Sequence, residues 1–375
     1  MRDAIPWAVR APVRRARNAF ALRRAISRQR PRWEEIAMTP PRAGAIAVSY
    51  GLDRMPSPDD VVYGGHVKFS LLDEVLPNAP RDFTVLYLGS SALPLEAAKL
   101  VELARRRGAA FAWNQNGVAY PGWYGDGWQL VNEPRAKLLH EADYVFFQSA
   151  FSKLSADRFY GELEARWEVL HNPVDTKRFV PAPHDSRPLT LLLGGNQYQR
   201  YRLETALAAT ALVRRERPEI RLLVAGAVSF DPAELVRDLD LDTAIEFVGP
   251  YTQAQAPALM QRADILLHTK YNDPCPTVVL EAMASGLPVV HSNSGGTPEL
   301  VGNEAGIGID APLDWERDHP PSPDDLAAAV LTVAARLSDY SAAARDRSLR
   351  FDRQSWIDRH HEVFTDLIRL KPPVS

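Results

Sequence analysis

The sequence is poor in the residues that staple a protein or embed it. It has one cysteine, Cys275, in 375 residues, which excludes an internal disulfide framework and any metal site built on several thiolates. No apolar run approaches the roughly 20 residues needed to cross a bilayer, so a membrane-embedded chain is excluded. There is no short internal repeat and no DxD-type acidic cluster that would demand a metal. Nor is the composition that of a disordered chain, since 46% hydrophobic and 24% charged residues suit packed globular domains. At this length two domains are expected.

Charge is present but unevenly placed. Residues 1–33 carry ten arginines against one acid, Asp3. A local +9 within a whole-chain charge of −3 leaves −12 on the remainder, an acidic body with a basic arm. Arginines interrupt every apolar stretch of the arm, so it lacks the core of a secretory signal. With no disulfide potential, the cytoplasm is the expected compartment. The arginines spread around a helical wheel. Peripheral contact with anionic lipid at the inner membrane face, a solvated tail and a docked tail therefore remain alternatives, and nucleic acid is not an expected partner.

From Gly44 short apolar runs alternate with amphipathic stretches. Strands are expected at 45–50, 84–88, 109–113, 144–148 and 167–170, with a helix over Leu95–Arg107 stopped by Gly108. After the proline-rich stretch 179–188 the alternation resumes, with strands at 189–193, 220–225, 245–248, 264–268 and 288–292. Helices are expected at 203–215, 254–262, 278–285 and 326–337. This predicts an α/β protein of two doubly wound Rossmann-like domains facing across a cleft. The expected divisions are an arm at 1–40, a first domain at 41–181, a second at 189–352 and a final region at 353–375. The apolar face of Ser355–Leu370 marks that region as a packing helix.

The densest signal runs from Asn272 to Val290. Pro276 suits the first position of a helix, leaving the N–H groups of Thr277, Val278 and Val279 free at an anion-attracting end. Asp273 stands outside that helix and Glu281 one turn further in. Gly295 and Gly296 form a second glycine turn before another helix. On their own they read as a tight turn; with a converging helix end they would share a diphosphate. Cys275 reads as a packing residue.

Together, His171–Pro181, Asp273, Glu281 followed by Ala282–Val290 (AMASGLPVV), and Ser294–Val301 (SGGTPELV), in that order along the chain, resemble retaining glycosyltransferases of the GT-B fold. This is the large group often called glycosyltransferase family 4. The resemblance runs from about Ala45 to the last helix. It implies transfer of a sugar from a nucleotide-diphosphate donor with retention, to a glycan, glycolipid, lipid-linked or small-molecule hydroxyl. It also implies that Asp273 contacts donor-sugar hydroxyls and Glu281 the ribose. Aspartate at the first acidic place is a departure, one methylene shorter than glutamate.

The family's arginine and lysine after the first strand of the second domain are missing from Gly194–Arg202. Arg200, slightly preferred, or Arg202 is the expected diphosphate cation, with Asn196 in the place of the missing arginine. Pro276, Thr277, Val278, Gly295 and Gly296 would complete the donor site, and no metal or other cofactor is required. In the first half, Gly64 and Gly65 resemble the family's glycine-rich loop, and His66 either faces the cleft or sits on the first helical turn. Lys153 resembles a cleft-side block or is an exposed helix-start residue. The loop Trp113–Trp128 combines aromatic faces with amides, which suits sugar recognition by Asn114, Asn116, Tyr120 and Trp123. Two other readings stay open, a sugar-nucleotide epimerase of the same fold and a nucleotide-sugar-binding protein without catalysis.

Overall fold

A computed structural model describes residues 7–42, 44–57, 64–182 and 187–371. Residues 58–63, just before Gly64, and residues 183–186 of the proline-rich stretch lie outside the described residues.

Strands β1 (Val48–Ser49), β2 (Val85–Gly89), β3 (Ala110–Gln115), β4 (Tyr144–Phe147) and β5 (Arg166–Val169) form one parallel sheet in chain order. A second parallel sheet holds β6 (Thr190–Leu193), β7 (Arg221–Ala225), β8 (Ile245–Gly249), β9 (Ile265–His268), β10 (Val289–Asn293) and β11 (Gly306–Asp310). Its spatial order is β11-β10-β9-β6-β7-β8. β2, β6 and β9 are buried at every position. Their sequences are mostly apolar for that reason, both sheet faces being covered, with Thr190 and His268 the buried polar exceptions.

Helices Ala97–Arg106, Trp128–Glu141 and Ala150–Tyr160 cover one face of the first sheet. Gly64–Asp73 and the last helix, Arg353–Leu370, cover the other. Trp356, Val363, Phe364 and Leu367 pack on Tyr87 and Phe146, and each such buried side chain is worth about 1.5–3 kcal/mol. The last helix therefore belongs energetically to the first domain. Its return crossing lies beside the outward one: Val174 N–H donates to the Phe351 carbonyl and Arg353 N–H to that of Val174, both at 2.9 Å.

Two elements have weak sequence signals. β11 reads Gly-Ile-Gly-Ile-Asp, and a Cβ on Gly306 would lie 1.9 Å from the Val289 carbonyl oxygen, so glycine is required for β11 to pair there. The helix Leu337–Ser348 is largely polar and buries little beyond Ala344 and Ser348.

The arm forms the helix Trp7–Arg28, followed by Arg30–Met38. Trp33 and Ile36 of the second helix are buried in the first domain's core, and Ile26 packs against it. Val13 and Phe20 are exposed. Among the described residues no helix is long and apolar enough to cross a membrane.

Candidate functional site in the interdomain cleft

In the second sheet the strand order reverses between β6 and β9. Loops leaving the carboxyl ends of two strands at such a point part in opposite directions and open a crevice. β6 exits into Gly194–Gly195 and β9 into the loop 269–276. A cavity of about 530 Å3 lies where that second loop faces the first domain. Its walls include Asp273, Lys270, Pro276 and Thr277 from one side and Gly65, Asn116, Arg135 and Gln148 from the other.

The loop carrying Asp273 is held from several directions. Asn272 adopts a left-handed backbone (φ 50°), which asparagine tolerates better than most residues. Its N–H donates to Ser294 Oγ (2.9 Å), and Tyr271 N–H donates to the Tyr201 hydroxyl (3.0 Å). The Asp273 carbonyl accepts from Gly296 N–H at 2.8 Å. A Cβ on Gly295 would stand 2.5 Å from that carbonyl, and one on Gly296 would stand 2.0 Å from the Pro274 carbonyl and 2.8 Å from Ser149 Cβ. Neither glycine lines the cavity. The structure makes them the brace behind Asp273 and a close approach between the domains.

The Asp273 carboxylate lies 3.0 Å from Lys270 Nζ and 3.4 Å from His268 Nε2. Burial pushes its pKa up, but the Lys270 charge and His268 together hold it well below the usual carboxylate range. Asp273 is therefore ionised at neutral pH. Burial lowers the pKa of His268, so the imidazole there is neutral.

Pro276 occupies the cap position with an extended backbone, one place earlier than expected, and the helix runs Thr277–Ala284. The Val279 N–H accordingly donates to the Pro276 carbonyl (3.1 Å) instead of being free. The N–H groups of Thr277 and Val278 meet no acceptor among the described residues. The Val278 side chain packs under Gly194, where an added Cβ would be 2.6 Å from it. Glu281, one turn beyond Thr277, is only 4% exposed. Burial raises its pKa to about 7, against the opposing pull of Arg178 and a hydrogen bond with Gln253. Its carboxyl faces that side of the helix, not the cavity of Asp273.

The two candidate arginines separate cleanly. Arg200 is exposed, pairs with Glu204 at 2.5 Å, lies over Phe230 and does not line this cavity. Arg202 is buried beneath the glycine turn, donating to the carbonyls of Asn196 (2.6 Å) and Gly194 (3.3 Å) within the field of Asp273. Asn196 uses its own amide oxygen to accept from Ala227 N–H (2.8 Å), which ties the β6 turn to the loop after β7. Lys270, which the sequence reading passed over, is the second-domain cation that lines the cavity.

In the first domain the helix begins at Gly64, and Gly65 lies so near the next turn that a Cβ would be 2.4 Å from Ser91 Oγ. His66 sits on the first helical turn and does not line the cavity. Asn116, Tyr120 and Trp123 do line it; Asn114 does not, being buried behind the wall with its oxygen on Lys68 Nζ and its amide nitrogen on Tyr87 Oη (2.9 Å). Tyr120 also packs edge-on against Trp315, 5.1 Å between centroids, a residue the second domain inserts among first-domain aromatics. Lys153 pairs with Asp157 and lies over Trp167, away from the cavity. Burial pushes the Cys275 thiol up to about 12, consistent with a packing role. Glu299 crosses between the domains: its carboxylate accepts from Ala150 N–H (2.7 Å) and Phe151 N–H (2.9 Å) at a helix start, and His171 Nε2 lies 3.1 Å away.

Residues 174–318, which contain every second-domain residue of this site, match the family of glycosyl transferases group 1. Glycogen synthase of Mycobacterium tuberculosis is 30% identical over 223 residues, 57% of this chain and 50% of that protein. The chain spans about half the length of the curated relatives it matches. Among solved structures, sucrose-phosphate synthase from Thermosynechococcus elongatus superposes with a TM-score of 0.63 at 18% identity, over 80% of this chain and 76% of the other. HepE from Anabaena, in complex with UDP-glucose, gives 0.61 at 18% identity over 80% and 82%. The protein has the GT-B fold, two Rossmann-like domains facing across a cleft.

Proposed function

We propose that this protein is a glycosyltransferase that moves a sugar from a nucleotide-diphosphate donor to an acceptor hydroxyl, with retention at the anomeric carbon. The observation that carries the reading is the convergence, in one interdomain cavity, of an ionised Asp273, its partner Lys270 and the unpaired N–H groups at the start of helix Thr277–Ala284.

Each part has a chemical use. A diphosphate at the helix start is met by the N–H groups of Thr277 and Val278 and by Lys270, with Arg202 adding charge from beneath. Charge that develops on the departing diphosphate thus meets fixed donors, and the reading takes no metal. Asp273, acceptor-only when ionised, orients sugar hydroxyls. Glu281, on the neighbouring face of the same helix, takes the ribose hydroxyls. Among the described residues lining the cavity Asp273 is the one carboxylate, which favours departure and attack on one face of the sugar over a double displacement. There the diphosphate oxygen takes the acceptor's proton.

The arm supports a peripheral contact with anionic lipid on the cytoplasmic side. Its helix exposes Val13 and Phe20 among arginines, and each basic residue near a charged surface adds about 1 kcal/mol.

Acceptor-dependent release of nucleoside diphosphate tests the reading. Release without acceptor and with a rearranged sugar would indicate an epimerase, and binding with no turnover on a broad acceptor panel would indicate a non-catalytic protein.

A further inference from the structure

The first-domain wall of the cavity carries positive charge that the protein itself does not neutralise. Arg135, half-buried on helix Trp128–Glu141, lines the cavity. Its Nε donates to the Ser90 carbonyl (3.0 Å) and its Nη1 to that of Val131 (2.7 Å). These neutral contacts fix the direction of the guanidinium and leave its charge unmatched. Among the described residues no carboxylate pairs with it.

A buried lysine, its pKa lowered by burial to about 7, lies one layer behind the same wall. Lys68 is 3% exposed, and its Nζ donates to the oxygens of Asn114, Asn172 (3.3 Å) and Gln148 (3.5 Å). An ammonium group has no acceptor, so the amide atoms facing it must be oxygens, which fixes how these amides are turned. The Gln148 oxygen also accepts from Asn116 Nδ2 (2.7 Å) and Asn172 Nδ2 (3.1 Å). Its oxygen is thus shared among three donors, and the NH2 group of Gln148, which lines the cavity, has no acceptor among the described residues. The amides meet the hydrogen-bonding need of Lys68 without supplying a counter-charge. Burying an unmatched cation is costly.

The cavity's one carboxylate, Asp273, is taken by Lys270 and His268 on the opposite wall. A neutral sugar acceptor would leave the first-domain side as it stands, with Arg135 unmatched and Lys68 held near neutrality for want of an anion. An acceptor bearing its own anion would complete it.

We infer that the acceptor carries an anionic group, a phosphate or a carboxylate, and that Arg135 binds it with Gln148 beside it. This rests on the glycosyltransferase reading above and narrows its acceptor class. A guanidinium with one edge held by backbone is preorganised to grip such an oxyanion.

The test is calorimetric titration of the full-length protein with three matched pairs: glycerol and glycerol 3-phosphate, glucose and glucose 6-phosphate, glucose and glucuronate. At least one charged member should bind about tenfold or more tightly than its neutral counterpart. The phosphate and carboxylate arms then tell which anion is preferred. In Arg135→Gln and Arg135→Met that advantage should disappear while binding of UDP, GDP or ADP is unchanged. Two variants are read so that misfolding of one does not decide the outcome. If no charged probe out-binds its neutral partner in the wild type, or if the advantage persists in a folded Arg135 variant, the inference is overturned. Loss of all nucleotide binding in the wild type would instead count against the donor reading, so the two failures are distinguishable.

Discussion

Lys270 Nζ stands 3.0 Å from Asp273 Oδ2, three residues apart at the carboxyl end of β9. The pair keeps a buried carboxylate ionised and places a cation at the helix start where a diphosphate would sit. It also answers two departures from the resembled family, a first acid shortened to aspartate and a missing lysine after β6.

Replacing Lys270 with methionine removes both services. Burial then pushes Asp273 upward, and the leaving diphosphate loses a fixed donor. Transfer should fall on the order of 10²–10³-fold, with the acidic limb of its pH–rate profile displaced to higher pH. Arg200→Ala, by contrast, loses an exposed pair with Glu204 and should change the rate by less than about twofold. Steady-state kinetics of the two variants side by side checks this.

Burial of Glu281 makes stability depend on pH. It raises the pKa from 4.5 to about 7. The cost of ionising it is absent below pH 4.5 and reaches full size as pH rises through about 7. Glu281→Gln should therefore be more stable than wild type at pH 8, by about 1–3 kcal/mol, with the difference shrinking toward pH 5. The same variant should bind donor more weakly. Urea unfolding at the two pH values reads the first effect; equal differences at both would contradict it.

Glycine replacement distinguishes open turns from close approaches. Gly125 (φ 71°, ψ −153°) has no atom within 4 Å of an added Cβ, so Gly125→Ala should cost only the backbone strain of a region nearly confined to glycine, roughly 1–3 kcal/mol, and spare activity. In Gly296→Ala the new methyl meets Pro274 and Ser149 and must move the Asp273 loop or part the domains. Activity should fall at least about tenfold, beyond what a modest drop in Tm explains. Thermal melts and kcat measured on both variants provide the check.

The arm can be tested only if it is cut in the right place. Trp33 and Ile36 are core residues, and Trp33 Nε1 donates to the Ile26 carbonyl at 2.9 Å, so a cut after residue 33 would damage the first domain. Removing residues 1–24 spares them. Sedimentation with vesicles containing anionic lipid should fall to the level seen with neutral vesicles, while melting is preserved. Unchanged sedimentation would reject the lipid contact.

How far the sequence could be read depended on whether a signal was local. Fully buried strands such as Thr190–Leu193 announce themselves, because burial on both faces favours an apolar run, here Leu191–Leu193. β11 does not, since its Gly306 answers to the Val289 backbone and its Gly308 to the side chains of His291 and Asn293, not to strand preference. Asp273, Glu281 and Thr277 were legible because they share one loop-and-helix segment. Lys270 lies within that stretch of chain but carries no motif of its own; its meaning comes from the turn at Asn272 that folds Asp273 back toward it. Arg135, Lys68 and Trp315 acquire roles only through contacts with residues far away in the chain. Arg200 and Arg202 are two residues apart, and helical geometry alone sends one outward and the other beneath the glycine turn.

The most direct measurement is calorimetric titration of UDP, GDP and ADP into the wild-type protein and into Lys270→Met. The account predicts that at least one nucleoside diphosphate binds the wild type and that Lys270→Met weakens it about tenfold or more, about 1.4 kcal/mol. Binding of none of them, or equal binding by both proteins, would contradict a donor site built on Lys270 and Asp273.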